Sequence, residues 1–301
     1  MGLPACNVRF SRSSAGFRKR PIHDYEMYLD AADAGISKTL LSYGTHEQRS
    51  MTVFREELRA LAEEVTGDVT VLDVGANIGY FSLMQVTVLG ERADVHAIEP
   101  APENVALLER NVAPNGYGDR ITVERCALGD RSENATLRLA EQANCHRVSG
   151  TSTVPASDGG TVVGEEPPQP SGSSTGSIPV PQVTGDRFLA ERDIDPEDID
   201  VVRMDLEGYE TAVIDGMKPA FDASGPLLLY FEFHPNQVDP DAARGALSVL
   251  ADNGFEIVSA VSEIGYDIRW QSSWYGLSLD IDTFDDLLDS HHWVEVIARR
   301  R

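Results

Sequence analysis

The chain is poor in lysine. Lys19, Lys38 and Lys218 are the three lysines in 301 residues, and arginine carries the rest of the positive charge. Acids outnumber lysine and arginine by 49 to 25, for a formal net charge of −24. Such a composition lacks the basic footprint of nonspecific nucleic-acid binding, so no nucleic-acid partner is expected. It suits a folded protein in concentrated salt, where self-repulsion is screened, and a halophilic setting is the expectation. Cysteine is scarce too. Cys6, Cys126 and Cys145 are odd in number and widely spaced, which excludes a disulfide framework and zinc-ligand spacing and implies a reduced cytoplasm. No apolar run approaches the roughly 20 residues of a membrane helix. The N-terminal segment has no apolar stretch of the signal-peptide kind. Arg9, Arg12, Arg18, Lys19 and Arg20 form one small basic arm, read as a solvated tail.

What is present is an apolar fraction of 42%, enough for a sizeable core. Residues 48–65 read as a helix, with Met51, Phe54, Leu58, Leu61, Ala62 and Val65 at helical spacing. Apolar runs at 69–74, 94–99, 121–128, 200–205 and 227–233 read as strands, with helical patterns between them. Strands alternating with helices imply βαβ units and a mainly parallel sheet. Residues 292–298 read as a last strand, antiparallel at the sheet edge. The segment 1–66 is expected to be a tail plus helical cap, and 67–301 one α/β domain. Residues 149–182, rich in Ser, Gly, Thr and Pro, read as a low-complexity insertion.

A third shortage is informative. Asp73-Val74-Gly75-Ala76-Asn77-Ile78-Gly79-Tyr80 is a strand end, a glycine turn and a helix start. A dinucleotide fingerprint would place glycine where Asn77 stands, so an NAD-dependent oxidoreductase is disfavoured. Asp73 closes the strand with an acid, which repels phosphate and suits a cationic ligand such as S-adenosylmethionine. Glu99 ends the second strand, 20 residues after Gly79. An acid there can accept hydrogen bonds from ribose hydroxyls. Gly75, Asn77, Gly79, Asp73 and Glu99 are therefore candidate cofactor-binding residues.

Several motifs together resemble the FkbM-type S-adenosylmethionine-dependent methyltransferases. The stretch from Asp73 to Ser82, with Ala97-Ile98-Glu99-Pro100, is similar to the first two motifs of that family. Ala127-Leu128-Gly129-Asp130 resembles the third. Arg203-Met204-Asp205-Leu206-Glu207-Gly208-Tyr209-Glu210 resembles the fourth, usually written with lysine where Arg203 stands. Phe231-Glu232-Phe233-His234 matches its apolar strand ending in acid-x-His. The resemblance spans roughly residues 43–261. It implies a Rossmann-like class I methyltransferase fold, with a seven-stranded, mainly parallel sheet, helices on both faces and an N-terminal helical addition. It also implies methyl transfer from S-adenosylmethionine, commonly to a hydroxyl of a small molecule or glycan. By the same resemblance, Asn104 falls where the family carries asparagine, Ala127 and Asp130 lie beside the adenine, and Glu47 lies near the cofactor's ammonium. Thr45 as a helix cap is the local alternative for that stretch.

Asp205, Glu207 and Glu210 sit at the carboxyl edge of the sheet, where α/β folds bind ligands. Carboxylates so close repel unless a cation, a cationic ligand or a raised pKa compensates. They can accept the acceptor's proton, hold the cofactor's positive groups, bind a divalent metal, or form a solvated acidic turn. Asp205 is the favoured catalytic or substrate-facing group, with Glu207 beside it and no metal assigned. His234 ends the 227–233 strand on the same edge, as general base or as a structural histidine. Trp270, Trp274 and Tyr275 are candidates for an acceptor wall or for packing. A methyltransferase acting on RNA or protein nitrogen, with an Asn-Pro-Pro-aromatic loop, is disfavoured by Asp205-Leu206-Glu207-Gly208. A non-catalytic nucleotide-binding protein is a further alternative.

The charge excess yields the first prediction. Melting temperature should rise from dilute buffer to molar KCl; a chain equally stable without salt would refute the halophilic reading.

Overall fold

The computed structural model describes residues 16–140, 146–149, 176–262, 277–290 and 293–301. In chain order, the elements are β1 (Phe17–Ile22), β2 (Tyr25–Asp30), α1 (Ile36–Tyr43), α2 (Gln48–Glu64), β3 (Val69–Val74), α3 (Tyr80–Leu89), β4 (Ala93–Ile98) and α4 (Pro102–Val112). There follow β5 (Ile121–Glu124), β6 (Ala127–Gly129), β7 (Glu133–Leu139), β8 (Arg147–Ser149), β9 (Gly176–Thr184), α5 (Gly185–Ala190), β10 (Ile199–Met204), α6 (Glu210–Gly216) and α7 (Lys218–Asp222). The last are β11 (Leu227–Phe233), α8 (Pro240–Asp252), β12 (Glu256–Ser262), β13 (Leu277–Ser278), α9 (Phe284–Leu288) and β14 (Val294–Arg300).

The main sheet runs β13-β12-β14-β11-β10-β3-β4-β5. Seven of these strands are longer than the two-residue β13, as the resemblance implies. From β5 to β11 neighbours are parallel. Parallel strands are buried on both faces, hence their continuous apolar runs. Alternate residues feed two cores. Val69 and Val71, Val201, and Leu228 and Tyr230 pack with α2, α3 and α4 on one face. Leu72 and Val74, Val202 and Met204, and Leu229 and Phe231 pack with α5 to α9 on the other.

β14 departs from expectation. It is antiparallel, but it lies between β11 and β12 rather than at an edge. Its seven residues are all buried, because neighbouring strands cover both sides. The 121–128 run also splits. β5 stays in the main sheet, whereas β6 pairs with β9 in a second sheet of order β6-β9-β7-β8. Thus β9 begins at Gly176, inside the 149–182 segment, and pairs with β7 from Gly176 to Gln182. Residues 150–175 and the Trp270, Trp274 and Tyr275 group lie outside the described residues. Among the described residues, no helix is long and apolar enough to cross a membrane.

The N-terminal addition is the largest correction. A helical cap is expected there, but it opens with an antiparallel hairpin, β1 with β2, before α1 and α2. Tyr25, Met27 and Leu29 alternate inward on β2, a period of two. β1 buries only Ile22, so its strand state comes from pairing and not from an apolar face of its own. Two asparagines staple the hairpin to the domain. Asn111 on α4 accepts from the Tyr28 amide at 2.6 Å and donates to the Ile78 carbonyl at 2.8 Å. Asn115 accepts from the Glu26 amide at 2.9 Å and donates to the Glu26 carbonyl at 2.8 Å. Asn111→Ala leaves two backbone groups unpaired and should destabilise the fold by roughly 1–3 kcal/mol. Urea unfolding at fixed salt measures this; an unchanged midpoint would remove Asn111 as a staple.

Candidate functional site

The β3–α3 turn is built by backbone geometry. Gly75 has φ +81° and Gly79 φ +88°. A Cβ on Gly75 would stand 2.3 Å from the Asp205 carbonyl oxygen. One on Gly79 would stand 2.3 Å from Leu108 Cδ1. Both positions therefore need glycine for conformation and for close approach. Asn77 is also left-handed, at φ +51°, a state asparagine tolerates best among non-glycine residues. Its Oδ1 is buried without a hydrogen-bond partner.

Glu99 stands just beyond β4 and is tied to this turn. Its Oε2 accepts from the Asn77 amide at 2.9 Å. Its Oε1 accepts from the Ala101 amide at 2.8 Å and from Asn104 Nδ2 at 3.4 Å. Burial pushes the Glu99 carboxyl up to about 7, against those three donors. Asn104 thus touches Glu99, and Oε2 keeps capacity for a further donor. Ala127 is buried on β6. Asp130 follows β6 in the second sheet, and Arg131 binds its carboxylate at 2.6 and 3.1 Å.

The centre of the site is a buried cation that the sequence reading noted only as a departure from lysine. Arg203 on β10 is 4% exposed. Nη1 donates to the Gly75 carbonyl at 3.1 Å and lies 3.5 Å from Asp73 Oδ1. Nη2 donates to Asp205 Oδ2 at 2.9 Å. The guanidinium stacks over the Phe81 ring at 4.1 Å. Asp73 is wholly buried, accepts from Ser82 Oγ at 2.5 Å, and burial raises its carboxyl despite Arg203. Glu47, the left-handed residue before α2, accepts from Tyr230 Oη at 2.7 Å and meets His46 Nε2 at 2.8 Å. Burial opposes its charge, but His46, Arg203 and Tyr230 together hold it at about 2. A lone arginine in the run from Val201 to Met204 was the available signal: a charge on a buried strand must be paired.

The acids after β10 divide by role. Glu210, 1% exposed, accepts from the Leu206 and Gly208 amides at 2.9 and 3.3 Å and so shapes the loop. Glu207 has φ +55°, and its carbonyl accepts from Arg147 Nε and Nη2 at 2.8 and 2.6 Å. His234 lies among carboxylates, with Nε2 3.8 Å from Glu207 and 3.6 Å from Glu232, and Nδ1 3.7 Å from Glu210. Burial opposes its protonation, but the surrounding acids raise its pKa. The described residues contain no group of three or more His, Cys, Asp or Glu arranged to hold a metal ion.

Comparison with known proteins agrees with this geometry. Residues 73–257, more than half of the chain, match the Methyltransferase FkbM domain. The chain belongs to the FkbM methyltransferase family. That family is S-adenosylmethionine-dependent, and the β3–α3 turn, Glu99, Arg203 and Asp205 all lie inside the FkbM match. The chain is 39% identical over 89 residues to the tRNA wybutosine-synthesizing protein 2 homolog of Danio rerio, covering 30% of this chain and 21% of that protein. It is 26% identical over 194 residues to Hexuronic acid methyltransferase AglP of Haloferax volcanii, covering 64% and 67%. A solved Methyltransferase FkbM from Methylobacillus flagellatus aligns with 77% of this chain and 44% of its own, at 17% identity and a TM-score of 0.41. The chain therefore spans less than half the length of the zebrafish and Methylobacillus proteins.

Arg203 yields the third prediction. Arg203→Met leaves the buried Asp73 and the half-buried Asp205 without their cation and should cost roughly 3–5 kcal/mol. Arg203→Lys should recover part of this. Urea unfolding in constant KCl reads it, and a loss near zero for Arg203→Met would reject the ion cluster as a stabilising unit.

Proposed function

We propose that this chain transfers the methyl group of S-adenosylmethionine to a hydroxyl oxygen of a small molecule or glycan. The observation that carries the cofactor reading is the bond from the Asn77 amide to Glu99, inside an FkbM domain. It sets an acid against a left-handed turn at the carboxyl edge of a parallel sheet, the place where such folds bind adenosine ligands. When bound, the cofactor supplies an electrophilic methyl group on a sulfonium. The residues fit such a ligand. Asn77 Oδ1 is a buried acceptor in want of a donor. Glu99 Oε2 can accept a ribose hydroxyl. Asp73 and Glu47 set negative charge near the turn, suited to a sulfonium and an ammonium. Gly75 and Gly79 shape the turn, while Asn104 supports Glu99. Ala127 and Asp130 are assigned to the adenine side.

Asp205 is our choice for the group that takes the acceptor's proton. Arg203 pairs with it at 2.9 Å, and its loop is fixed by Glu210 and Arg147. The carboxylates around His234 favour its imidazolium form, which makes it a poorer base and a better hydrogen-bond donor. Glu207 then serves to hold that charge. The relative named as a hexuronic acid methyltransferase supports a sugar acceptor. The relative named for tRNA supports an RNA acceptor instead, but the charge of −24 opposes it.

Calorimetric titration in molar KCl tests the cofactor, with NAD as the comparison. S-adenosylmethionine should bind and NAD should not. Affinity should rise as pH passes through about 7, where Glu99 loses its proton, because ribose hydroxyls donate to the ionised form. The sign for folding is opposite: a raised carboxyl pKa favours the apo fold at low pH, and that contribution fades as pH rises through the same value. Glu99→Ala should lose about 1.5–3 kcal/mol of cofactor affinity and its pH dependence. Folded protein that ignores S-adenosylmethionine would sink the proposal. Labelled methyl transfer to a hexuronate-containing oligosaccharide, compared with tRNA, separates the two acceptors.

A further inference from the structure

The carboxyl ends of β10, β11 and β14 set three acids in one row. Glu232 on β11 lies directly opposite Glu295 on β14. On its other side, Met204 pairs with Phe231, so Asp205, the next residue, falls beside Glu232. The row lies on the sheet face that carries Arg203 and Tyr230, the face covered by α2 and α3. Like charges in directly opposite positions repel, and water reaches the row only in part: Glu295 is buried, and the Asp205 and Glu232 side chains are 22% and 14% exposed.

Two of the three acids have compensation. Asp205 accepts from Arg203 at 2.9 Å. Glu295 accepts from Ser50 Oγ. Glu232, between them, stands beside Asp205 across the β10–β11 pair, close enough for the two carboxyl groups to interact. Among the described residues, the basic nitrogen paired with Glu232 is His234 Nε2, 3.6 Å away, beyond a hydrogen bond. That ring is 5% exposed and is shared with Glu207 and Glu210. A bond between two carboxyl groups needs a proton on one of them. Arg203 donates to Asp205 at 2.9 Å, and among the described residues no cation reaches Glu232 at hydrogen-bond distance, so the proton belongs on Glu232. The groups facing Glu232 add to this: Glu207 beyond β10, Glu47 ahead of α2 and Glu295 on β14 are acids, while among the described residues the cationic groups are Arg203, engaged by Asp205, and His234 just past β11. Burial first, then Asp205, Glu47 and Glu207, push the Glu232 carboxyl well above its ordinary range.

We infer that Glu232 is a neutral carboxylic acid that donates its proton to Asp205 and fixes that carboxylate for the acceptor hydroxyl. Glu232 is thus a positioning residue, and this role rests on reading Asp205 as the base. No net reaction occurs at Glu232: its proton stays shared with Asp205 while Asp205 receives the acceptor's proton.

Infrared spectroscopy of the full chain at neutral pH tests the protonation without any acceptor. The wild-type minus E232Q difference spectrum should contain the band of a protonated carboxylic acid; Glu99, at about 7 in both proteins, cancels in the difference. Methyl transfer to the hexuronate-containing oligosaccharide tests the positioning. E232A should keep S-adenosylmethionine binding and lose turnover by about tenfold or more, the scale of a misplaced acid–base group. E232Q, whose amide still donates to Asp205, should restore most of that loss. If the difference spectrum has no carboxylic-acid band, or E232Q is as slow as E232A, the inference is wrong. A wild-type protein that fails to bind S-adenosylmethionine defeats the methyl-transfer reading instead, and the infrared result still decides the state of Glu232.

Discussion

A single guanidinium organises the carboxyl edge of this sheet. Arg203 reaches the glycine turn through the Gly75 carbonyl, the strand end through Asp73 and the next loop through Asp205. Two central parallel strands, β3 and β10, end in acids that would repel each other without it. Burial makes each charge expensive alone and their pairing strong. The fork geometry of arginine suits three separate acceptors, which a lysine ammonium would meet less rigidly. The sheet can therefore keep a dense set of carboxylates dry, at the place where a sulfonium and an alcohol proton have to be handled.

The rest of the site leans on that pairing. With Asp73 and Asp205 held, the turn between β3 and α3 closes on Glu99 through the Asn77 amide. Glu99 then faces a second constraint: three donors satisfy it, yet burial still lifts its carboxyl to about 7. An ionisable group held at that value responds to a ligand that favours its charged form. The hairpin of β1 and β2 supports the turn from outside. Asn111 joins the Tyr28 amide to the Ile78 carbonyl, so an N-terminal element braces the turn itself. Tyr80 adds to the brace, receiving the Tyr25 hydroxyl on its carbonyl at 3.0 Å.

Much of this was legible in the chain. The apolar runs of β3, β4, β10 and β11 mark strands because parallel strands bury both faces. Glycine at 75 and 79 and acids at 73, 99 and 205 mark a ligand edge because few folds tolerate that spelling otherwise. The hairpin was not legible, because β1 has almost no apolar face and exists by pairing with β2. Nor was the interior place of β14: its apolar run fits an edge or a centre equally, and only its two partners decide. The segment around 121–128 reads as one strand, yet a turn sends β5 and β6 to different sheets. Asp205, Glu207 and Glu210 look alike as letters. Their backbone amide, arginine and histidine partners separate them.

The sequence by itself determined the family, the sheet strands that carry the glycine turn, and the supply of acids at its edge. Those features are local: a period, a spacing, a residue type that a tight turn demands. The tertiary structure decided which partners each acid meets. Asp205 lies against Arg203, Glu47 against His46 and Tyr230, and Glu232 between two other carboxyl groups. Charge state depends on burial and on neighbours distant in sequence, such as Glu295 across from Glu232, so strand register had to exist before it was defined.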